Sequence, residues 1–299
     1  MEKKLAIIVC DNGLGHLRRS IIIAEREMPK GYTPTIFAPK NSIAKIRNVT
    51  PILENIENIN FETRMTIKSL KDISSSGVPD WVNRLPPIEK YDKIICDNLP
   101  EILLIRNDAI ISAQFFWHDI IPNISESYGL LCDRLLSEYK PEIIGCQYFS
   151  MPKVRCQPGF RPVKPYLKDK DMEALKRIDK EKRDSLLITC GTTDAARDRY
   201  HKIISEIIKT GNIAYREVYV DSELMPIMHP KWMKKATYSF EMFSRLKACI
   251  CRPGLGILND VLPHQIDIRC IYEKGNKEMQ YNAGVVESIV NKDFEGFCP

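Results

Sequence analysis

The chain alternates short apolar runs rich in β-branched residues with longer stretches in which apolar residues recur at helical spacing. In the first half, this pattern predicts strands at residues 5–10, 35–38, 93–97, 109–116 and 143–146, and helices at residues 16–28 and 126–136. Nearly continuous apolar strands of this kind are typical of parallel sheets that helices cover on both faces. The alternation therefore predicts an α/β fold.

The second half of the chain repeats this alternation. Strands are predicted at residues 186–190, 217–220, 248–252 and 268–272, and helices at residues 195–208, 240–246, 256–262 and 277–289. Between the halves, prolines at positions 152, 158, 162 and 165 predict an extended connection, because each fixes φ and removes a hydrogen-bond donor. A charged helix is predicted after them, at residues 169–183. We therefore predict two α/β domains, residues 1–160 and residues 161–299.

The composition is that of a soluble globular protein, with 44% hydrophobic and 28% charged residues in a chain of 299. Its 44 basic and 39 acidic residues are interspersed, which argues against a nucleic-acid partner despite a net charge of +5. The mild basic bias would still attract a phosphorylated substrate or an anionic membrane surface. No segment has the pattern of a transmembrane helix or a signal peptide, so we expect a cytoplasmic protein, with peripheral membrane contact left open. Nothing in the sequence indicates an oligomeric state.

The ten cysteines do not indicate a metal site. Most of them lie in apolar runs, where a reduced cysteine behaves as a small buried hydrophobe. No Cys-x-x-Cys pair occurs, and no cysteines and histidines have the spacing of a zinc site. We therefore expect neither a bound metal nor a cofactor.

The first candidate site is the turn Gly13-Leu14-Gly15-His16, which follows the first predicted strand and opens the first predicted helix. Gly13 and Gly15 allow a tight turn and a close approach to the backbone. His16 would lie over the carboxyl edge of the sheet, where ligands bind in open α/β folds and where an imidazole can act as a general base. The alternative is a plain βα turn with a histidine bonded to the backbone. Arg18 occupies the third glycine position of a dinucleotide fingerprint, so that motif is not present.

The second candidate site is the segment from Arg252 to Asp260, where a buried strand leads into a turn that opens a helix. Gly254 and Gly256 would let a phosphate reach the free N–H groups of the helix start, and Arg252 could pair with it. Asp260 could reach sugar hydroxyls. The alternative is a turn whose aspartate favours the helix dipole.

Three further sets of residues can contribute to such a site. Gly191 and Thr192 follow a predicted strand and could hold a phosphate, although a capped helix start explains them equally well. Glu278 and Asn282 lie one helical turn apart and face the same way. Asp97 and Asp119 follow predicted strands, so either could orient an acceptor or assist a base, with structural roles as the alternative.

These pieces, in this order, resemble the GT-B glycosyltransferases, especially those similar to glycosyltransferase family 28, and the related hydrolase of the pseudaminic-acid pathway. The matching pieces are Gly13-Leu14-Gly15-His16, Gly191-Thr192-Thr193, the segment from Arg252 to Asp260, and Glu278-Met279-Gln280-Tyr281-Asn282-Ala283. The resemblance implies two Rossmann-like domains facing across a cleft, the N-terminal one on the acceptor side and the C-terminal one binding the nucleotide-sugar.

The resemblance also implies roles for individual residues. Gly254 and Gly256 would lie near the diphosphate of a UDP- or dTDP-sugar, Asp260 would bind the ribose, and Glu278 the transferred sugar. Gly15 and His16 would face the acceptor. The implied reaction is a metal-independent, inverting transfer of a hexosyl group, because backbone amides and the helix dipole stabilise the leaving diphosphate.

Two departures from the family pattern leave other functions open. Met279 replaces the glutamine expected to bind sugar hydroxyls, and Asp260 is shorter than the usual glutamate. One alternative is a nucleotide-sugar hydrolase in which His16 activates water. The other is a non-catalytic subunit that binds a nucleotide-sugar.

Overall fold

The chain divides into two compact units, Met1–Lys164, called unit 1, and Pro165–Pro299, called unit 2. The computed structural model describes residues 3–10, 13–49, 56–63, 79–163, 179–191, 196–211 and 214–290. Most of the predicted charged helix at residues 169–183 and all of Thr192 lie outside the described residues. The described end of that predicted helix is a 3₁₀ turn, Lys180–Lys182.

Unit 1 is built on a seven-stranded parallel sheet with the strand order β3-β2-β1-β4-β5-β6-β7. Its strands are β1 (Lys3–Ile8), β2 (Tyr32–Phe37), β3 (Asn60–Glu62), β4 (Lys93–Asp97), β5 (Ile110–Ser112), β6 (Ile143–Cys146) and β7 (Phe160–Val163). Its helices are α1 (Leu14–Glu27), α2 (Lys40–Val49), α3 (Asp80–Asn83), α4 (Trp117–Ile120), α5 (Glu126–Tyr139) and α6 (Pro152–Arg155), with 3₁₀ turns at Met28–Lys30, Ile56–Asn58 and Pro100–Leu104.

Unit 2 has a five-stranded parallel sheet with the strand order β10-β9-β8-β11-β12. Its strands are β8 (Ser185–Thr189), β9 (Glu217–Val220), β10 (Met233–Lys235), β11 (Leu246–Cys251) and β12 (Asp267–Cys270). Its helices are α7 (Arg197–Thr210), α8 (Phe240–Arg245), α9 (Leu255–Val261) and α10 (Lys277–Val290), with a 3₁₀ turn at Leu262–His264. The predicted α/β class with parallel sheets is therefore confirmed.

The central strands of both sheets are buried on both faces. In β1, the side chains from Leu5 to Ile8 are all fully buried, and every residue of β8 is buried. A strand covered on both sides needs apolar residues at successive positions, which is the pattern that predicted a parallel sheet. In each unit, an apolar core packs against these strands.

The described part of the segment with four prolines, residues 152–163, is not an extended connection, so the prediction is wrong there, whereas Pro165 lies outside the described residues. Pro152 begins α6, because a proline at the first helical position loses only an N–H that the helix leaves unpaired. Pro162 lies in β7, an edge strand that pairs with β6. A proline is tolerated at an edge, where one side of the strand needs no ladder hydrogen bond.

The predicted strand at residues 109–116 is also too long. Only Ile110–Ser112 forms β5, and α4 begins five residues later at Trp117. The buried aromatic side chains Phe115 and Phe116 continue the apolar run beyond the strand, so periodicity alone did not mark its end. The three-residue strands β3 and β10 were not predicted because they are too short to show a period.

Within the described ranges, no helix combines the length and the apolar character needed to cross a membrane.

Gly145 in β6 tests how tightly unit 1 is packed. A Cβ at this position would collide with Ser150 Oγ and would lie 2.5 Å from the carbonyl oxygen of Ala113. Because a backbone oxygen cannot rotate away, we expect Gly145→Ala to lower the free energy of unfolding by about 1–3 kcal/mol or more, as measured by chemical denaturation. Gly129→Ala in α5 is the matched control, since its Cβ would make one ordinary contact at 3.7 Å. Equal stability of the two variants would contradict the packing described here.

Candidate functional site

His16 and Asp97 meet at the carboxyl edge of the sheet in unit 1. Asp97 is the last residue of β4, and His16 lies in the first turn of α1, which follows β1. The strand order reverses between β1 and β4, and ligands bind at such a switch point in open α/β sheets. His16 Nδ1 lies 2.6 Å from Asp97 Oδ2. The fold thus joins two residues that are 81 positions apart.

Arg19 is the third member of this cluster. It lies on the same face of α1 as His16 and is itself buried. Its guanidinium donates to Asp97 Oδ1 through Nε, over 3.1 Å, and through Nη2. Burial opposes ionisation of the Asp97 carboxyl, but the charges and hydrogen bonds of Arg19 and His16 outweigh it and lower its pKa.

The ionised carboxylate fixes which ring nitrogen of His16 carries the proton. A carboxylate only accepts hydrogen bonds, so Nδ1 must be the donor to Asp97. Arg19 Nη2, 3.3 Å from Nδ1, has no lone pair and cannot compete as an acceptor. In the neutral ring, Nε2 therefore carries the lone pair, and it makes no hydrogen bond within the described part of the chain. A ring held in this way can accept a proton at Nε2.

Two aromatic side chains hold the imidazole of His16 in place. The ring centroids of His16 and Trp117 are 5.6 Å apart, and those of His16 and Phe115 are 6.3 Å apart. Phe115 and Trp117 pack edge to face at 4.7 Å, and both are buried. The side chain of His16 keeps 12% of its surface exposed, so the ring is framed but still reachable.

Asp119, the other carboxylate predicted for catalysis, belongs to a separate ion-pair group. Its Oδ1 accepts a hydrogen bond from Lys153 Nζ over 2.8 Å and lies 3.8 Å from His118 Nε2. Lys153 also pairs with Asp133, at 3.0 Å. The contacts of Asp119 with a lysine agree with the structural alternative, and its catalytic role stays a prediction.

In unit 2, the turn after β8, which contains Gly191, is held by hydrogen bonds to Asp221. The sequence had not identified Asp221 as a candidate residue. Asp221 follows β9 directly, and its Oδ2 accepts hydrogen bonds from Thr189 Oγ1 and the Cys190 N–H, each over 2.9 Å. The Gly191 N–H donates to Thr189 Oγ1 over 3.4 Å. Gly191 has a φ of +66°, which favours glycine at this position.

The guanidinium of Arg252 is paired with the carboxylate of Glu273, whereas the sequence suggested that it could pair with a phosphate. Its guanidinium donates to both carboxylate oxygens of Glu273, through Nη2 over 2.5 Å and through Nε over 3.0 Å. These hydrogen bonds, against the cost of burial, lower the pKa of Glu273 to about 2. Asn276 donates to the same carboxylate, and its own Oδ1 accepts from the Met279 N–H at the start of α10. This network ties the turn after β11 to the turn after β12.

Of the remaining predicted residues of unit 2, Asn282 contacts the turn after β11. Asn282 donates through Nδ2 to the carbonyl oxygen of Pro253 over 2.9 Å, which fixes the backbone just before Gly254. Asp260 is buried in the last turn of α9, and Glu278 is half-buried in the first turn of α10. The structure therefore gives Asn282 a positioning role on the turn.

One glycine in the turn after β1 and one in the turn after β11 face open space. Within the described residues, a Cβ added at Gly15 or Gly254 would meet no atom within 4 Å. Gly13 has a φ of +97°, which favours glycine, whereas Gly254 has a φ of −72° that any residue adopts. Protein packing therefore does not require glycine at positions 15 and 254.

The acids that were missed share a sequence signal. Asp221 and Glu273 directly follow predicted strands, whereas Asp97 is the last residue of one, and Arg19 lies three residues after His16 on one helix. A search for charged residues directly after each predicted strand would have found the acids. Within the described ranges, no three His, Cys, Asp or Glu side chains form a group that could hold a metal ion.

Comparisons by sequence identify no relative. No model of a known protein family matches the chain. No curated protein matches it either.

Comparisons by structure show a shared fold. The crystal structure of LpCGTa in complex with UDP has a TM-score of 0.65 and 12% identity, covering 96% of this chain and 83% of that one. UGT89C1 from Arabidopsis thaliana, complexed with UDP-L-rhamnose, has a TM-score of 0.61, 11% identity and coverage of 96% and 83%. CalG4, the calicheamicin glycosyltransferase, has a TM-score of 0.60, 11% identity and coverage of 97% and 84%. The predicted GT-B fold is thus confirmed, and the specific likeness to family 28 stays a prediction.

The carboxyl of Asp221 predicts a pH-dependent stability. Burial raises its pKa to about 6 from an ordinary value of 3.8, although hydrogen bonds from Thr189 and the Cys190 and Gly191 amides lower it. Since the folded state holds the proton more tightly than the unfolded state, this group stabilises the fold below pH 4 and loses that contribution as the pH rises through 6. We expect Asp221→Asn, which keeps an acceptor without the charge, to be more stable than the parent at pH 8 by up to about 3 kcal/mol.

Chemical denaturation of Asp221→Asn and its parent at pH 4, 6 and 8 measures this difference. The gap in the free energy of unfolding should open between pH 4 and pH 6 and stay constant above. Thr210→Val, at the exposed end of α7, is a control that should show no such trend. A gap that does not change with pH would contradict the assignment.

Proposed function

We propose that this chain is a glycosyltransferase that uses a nucleotide-diphosphate sugar, with His16 as the general base. The observation that carries the proposal is the His16–Asp97 pair, 2.6 Å apart, at the switch point of the sheet in unit 1. The shared fold supports it, because several proteins with this fold were solved with UDP or a UDP-sugar bound. UDP and dTDP are the nucleotides we propose for the donor.

The chemistry follows from the protonation state of His16. An acceptor hydroxyl transfers its proton to Nε2 of His16 while its oxygen bonds to the anomeric carbon of the donor sugar. The bond from that carbon to the diphosphate oxygen breaks, and the nucleoside diphosphate leaves with the electron pair. Asp97 stabilises the imidazolium that results, because its carboxylate already accepts the Nδ1 proton.

Arg19 keeps this pair ready for proton transfer. It neutralises Asp97, which would otherwise be a buried, unpaired charge, and holds the carboxylate with Oδ2 towards His16. Its Nη2 also lies 3.3 Å from Nδ1 of the His16 ring. Attack from the face opposite the leaving group makes the reaction an inverting one, and we propose that it needs no metal.

The donor diphosphate is proposed to bind at the turn after β11 in unit 2. Gly254 leaves space above the backbone, and Asn282 and Arg252 hold the turn in one conformation. Arg252 contacts Glu273 in this state, so we assign it to holding the turn rather than to the phosphate. Asp260 and Glu278 remain proposed contacts to the ribose and the sugar, and the acceptor is not specified by these residues.

Removing the base is the direct test of the proposed reaction. We expect His16→Ala to lower kcat for sugar transfer by about 10²–10⁴-fold, because a general base contributes that much. Donor binding should change little, since the loss of the ring leaves the Arg19–Asp97 pair intact, and thermal unfolding checks that the variant folds. His201→Ala, an exposed histidine on α7, is the control and should keep full activity.

Turnover of UDP- and dTDP-sugars, measured with and without a panel of acceptor alcohols, separates the alternatives. Free sugar formed without acceptor, and lost in His16→Ala, would replace transfer by hydrolysis. Donor binding with no turnover under any condition would identify a non-catalytic binding subunit. Full activity of His16→Ala would show that the base lies elsewhere.

Two glycines test where the donor lies. We expect Gly254→Ala to fold normally but to bind UDP at least about tenfold more weakly, because a methyl group would occupy the space above the turn. Gly284→Ala in α10 is the matched control, since it also adds a Cβ where the described residues leave open space. Calorimetric titration with UDP and dTDP measures both. Unchanged UDP affinity in Gly254→Ala would remove the diphosphate from this turn.

A further inference from the structure

Two neighbouring apolar side chains in the connection between β9 and β10 of unit 2 are almost completely exposed to solvent. Ile227 is 102% exposed and Met228 is 88% exposed, relative to a fully accessible residue. Isolated exposed apolar residues are common on protein surfaces, but two neighbours with no cover at all are not explained by chance exposure. These two residues, with Pro226 before them and His229 and Pro230 after them, are called the apolar tip.

The apolar tip is exposed although the segment around it is well packed. Leu224 on one side and Met233 on the other are buried in the core of unit 2, and Met225 and Trp232 pack against that core. The connection can therefore reach the core on both sides and still directs the tip outward. Prolines at 226 and 230 restrict the backbone at each end of the tip, so it projects with little loss of conformational freedom on binding.

The charged residues that follow the apolar tip in the chain are all positive as far as Glu241. Lys231, Lys234 and Lys235 follow it, all three are exposed, and they make no ion pair within the described residues. No acidic residue occurs between Glu223 and Glu241. Lysines on the edge strand β10 also protect that edge from pairing with another chain, but this does not account for the uncovered Ile227 and Met228.

We propose that the apolar tip inserts into an anionic membrane surface, with the three lysines contacting lipid phosphates. Apolar side chains that enter the boundary between headgroups and acyl chains, together with adjacent lysines, are the two components of peripheral membrane binding. A protein partner would have to offer an apolar pocket and acidic side chains together, whereas an anionic bilayer supplies both over its whole surface. The binding does not depend on the proposed glycosyl transfer, and it would bring the enzyme to a lipid phase.

Sedimentation of the full chain with vesicles tests the proposal. We expect binding to vesicles of phosphatidylcholine with 30% phosphatidylglycerol, weak binding to pure phosphatidylcholine, and loss of binding in 0.5 M salt, because salt screens the lysines. Exchanging both apolar side chains, Ile227→Ser with Met228→Ser, should lower the partition coefficient at least about tenfold. Leu130→Ser in unit 1, at a residue 65% exposed, is the matched control and should bind as the parent does.

A fluorescent reporter shows whether the tip itself enters the bilayer. Both reporters are made in a Trp232→Phe background, because the native Trp232 is half-buried and lies four residues from Met228. Met228→Trp places a tryptophan at the tip and Leu130→Trp places one at the control position, whereas the native Trp81 and Trp117 are buried. Brominated lipids should quench the added fluorescence of Met228→Trp and not that of Leu130→Trp. Thermal unfolding of each variant confirms that it folds.

The proposal fails if the folded parent does not bind anionic vesicles at low salt, or if the double exchange leaves binding unchanged. It also fails if sedimentation velocity shows that the parent self-associates and the double exchange makes it monomeric, because the tip is then an interface between copies. Sugar transfer measured with a soluble acceptor should be the same in the double variant and the parent. Loss of that activity in His16→Ala, with vesicle binding kept, separates the two proposals.

Discussion

The reversal of strand order in each parallel sheet is the constraint on which the rest of this structure depends. All strands of a sheet run in the same direction, so their carboxyl ends share one edge. The strand order reverses between β1 and β4 in one sheet and between β8 and β11 in the other. At these two points the segments that follow the neighbouring strands turn to opposite sides, so a crevice opens between them. His16 and Asp97 occupy this position in unit 1, and Gly191 and Arg252 occupy it in unit 2. The same topology thus places candidate site residues at equivalent points of two different sheets.

Three acids at or just after the carboxyl ends of strands show how neighbouring groups decide whether a carboxyl is ionised. Asp97 is completely buried but has a lowered pKa, because Arg19 and His16 stabilise its charge. Glu273 contacts Arg252, and its pKa falls to about 2. Asp221 accepts hydrogen bonds from two neutral donors, Thr189 Oγ1 and the Cys190 N–H, and burial raises its pKa to about 6. The pKa values of Asp97 and Glu273 are lowered and that of Asp221 is raised because a cationic side chain lies next to the first two carboxylates. Their position in the fold does not explain the difference.

The sequence allowed much of this architecture to be predicted. The strands at residues 93–97, 143–146 and 217–220 agree with the structure at both ends, since buried apolar runs end sharply where polar residues begin. The prolines around Pro152 led to the wrong prediction of an extended connection, because a proline is also compatible with the first turn of a helix and with an edge strand. The candidate residues His16 and Asp97 were named separately, and spacing along the chain could not show that they touch.

What the sequence determined by itself is local: the period of each element, the glycine at position 13 that a positive φ favours, and the acids and histidines after strands. The tertiary structure decided which of these side chains meet. It brought His16, Arg19 and Asp97 together in one cluster. It paired Asp119 with Lys153 and Arg252 with Glu273, and it left the side chains of Ile227 and Met228 exposed to solvent. The physical reason is that periodicity follows from backbone geometry within one element, whereas contacts and charge pairing depend on how separate elements are arranged in space.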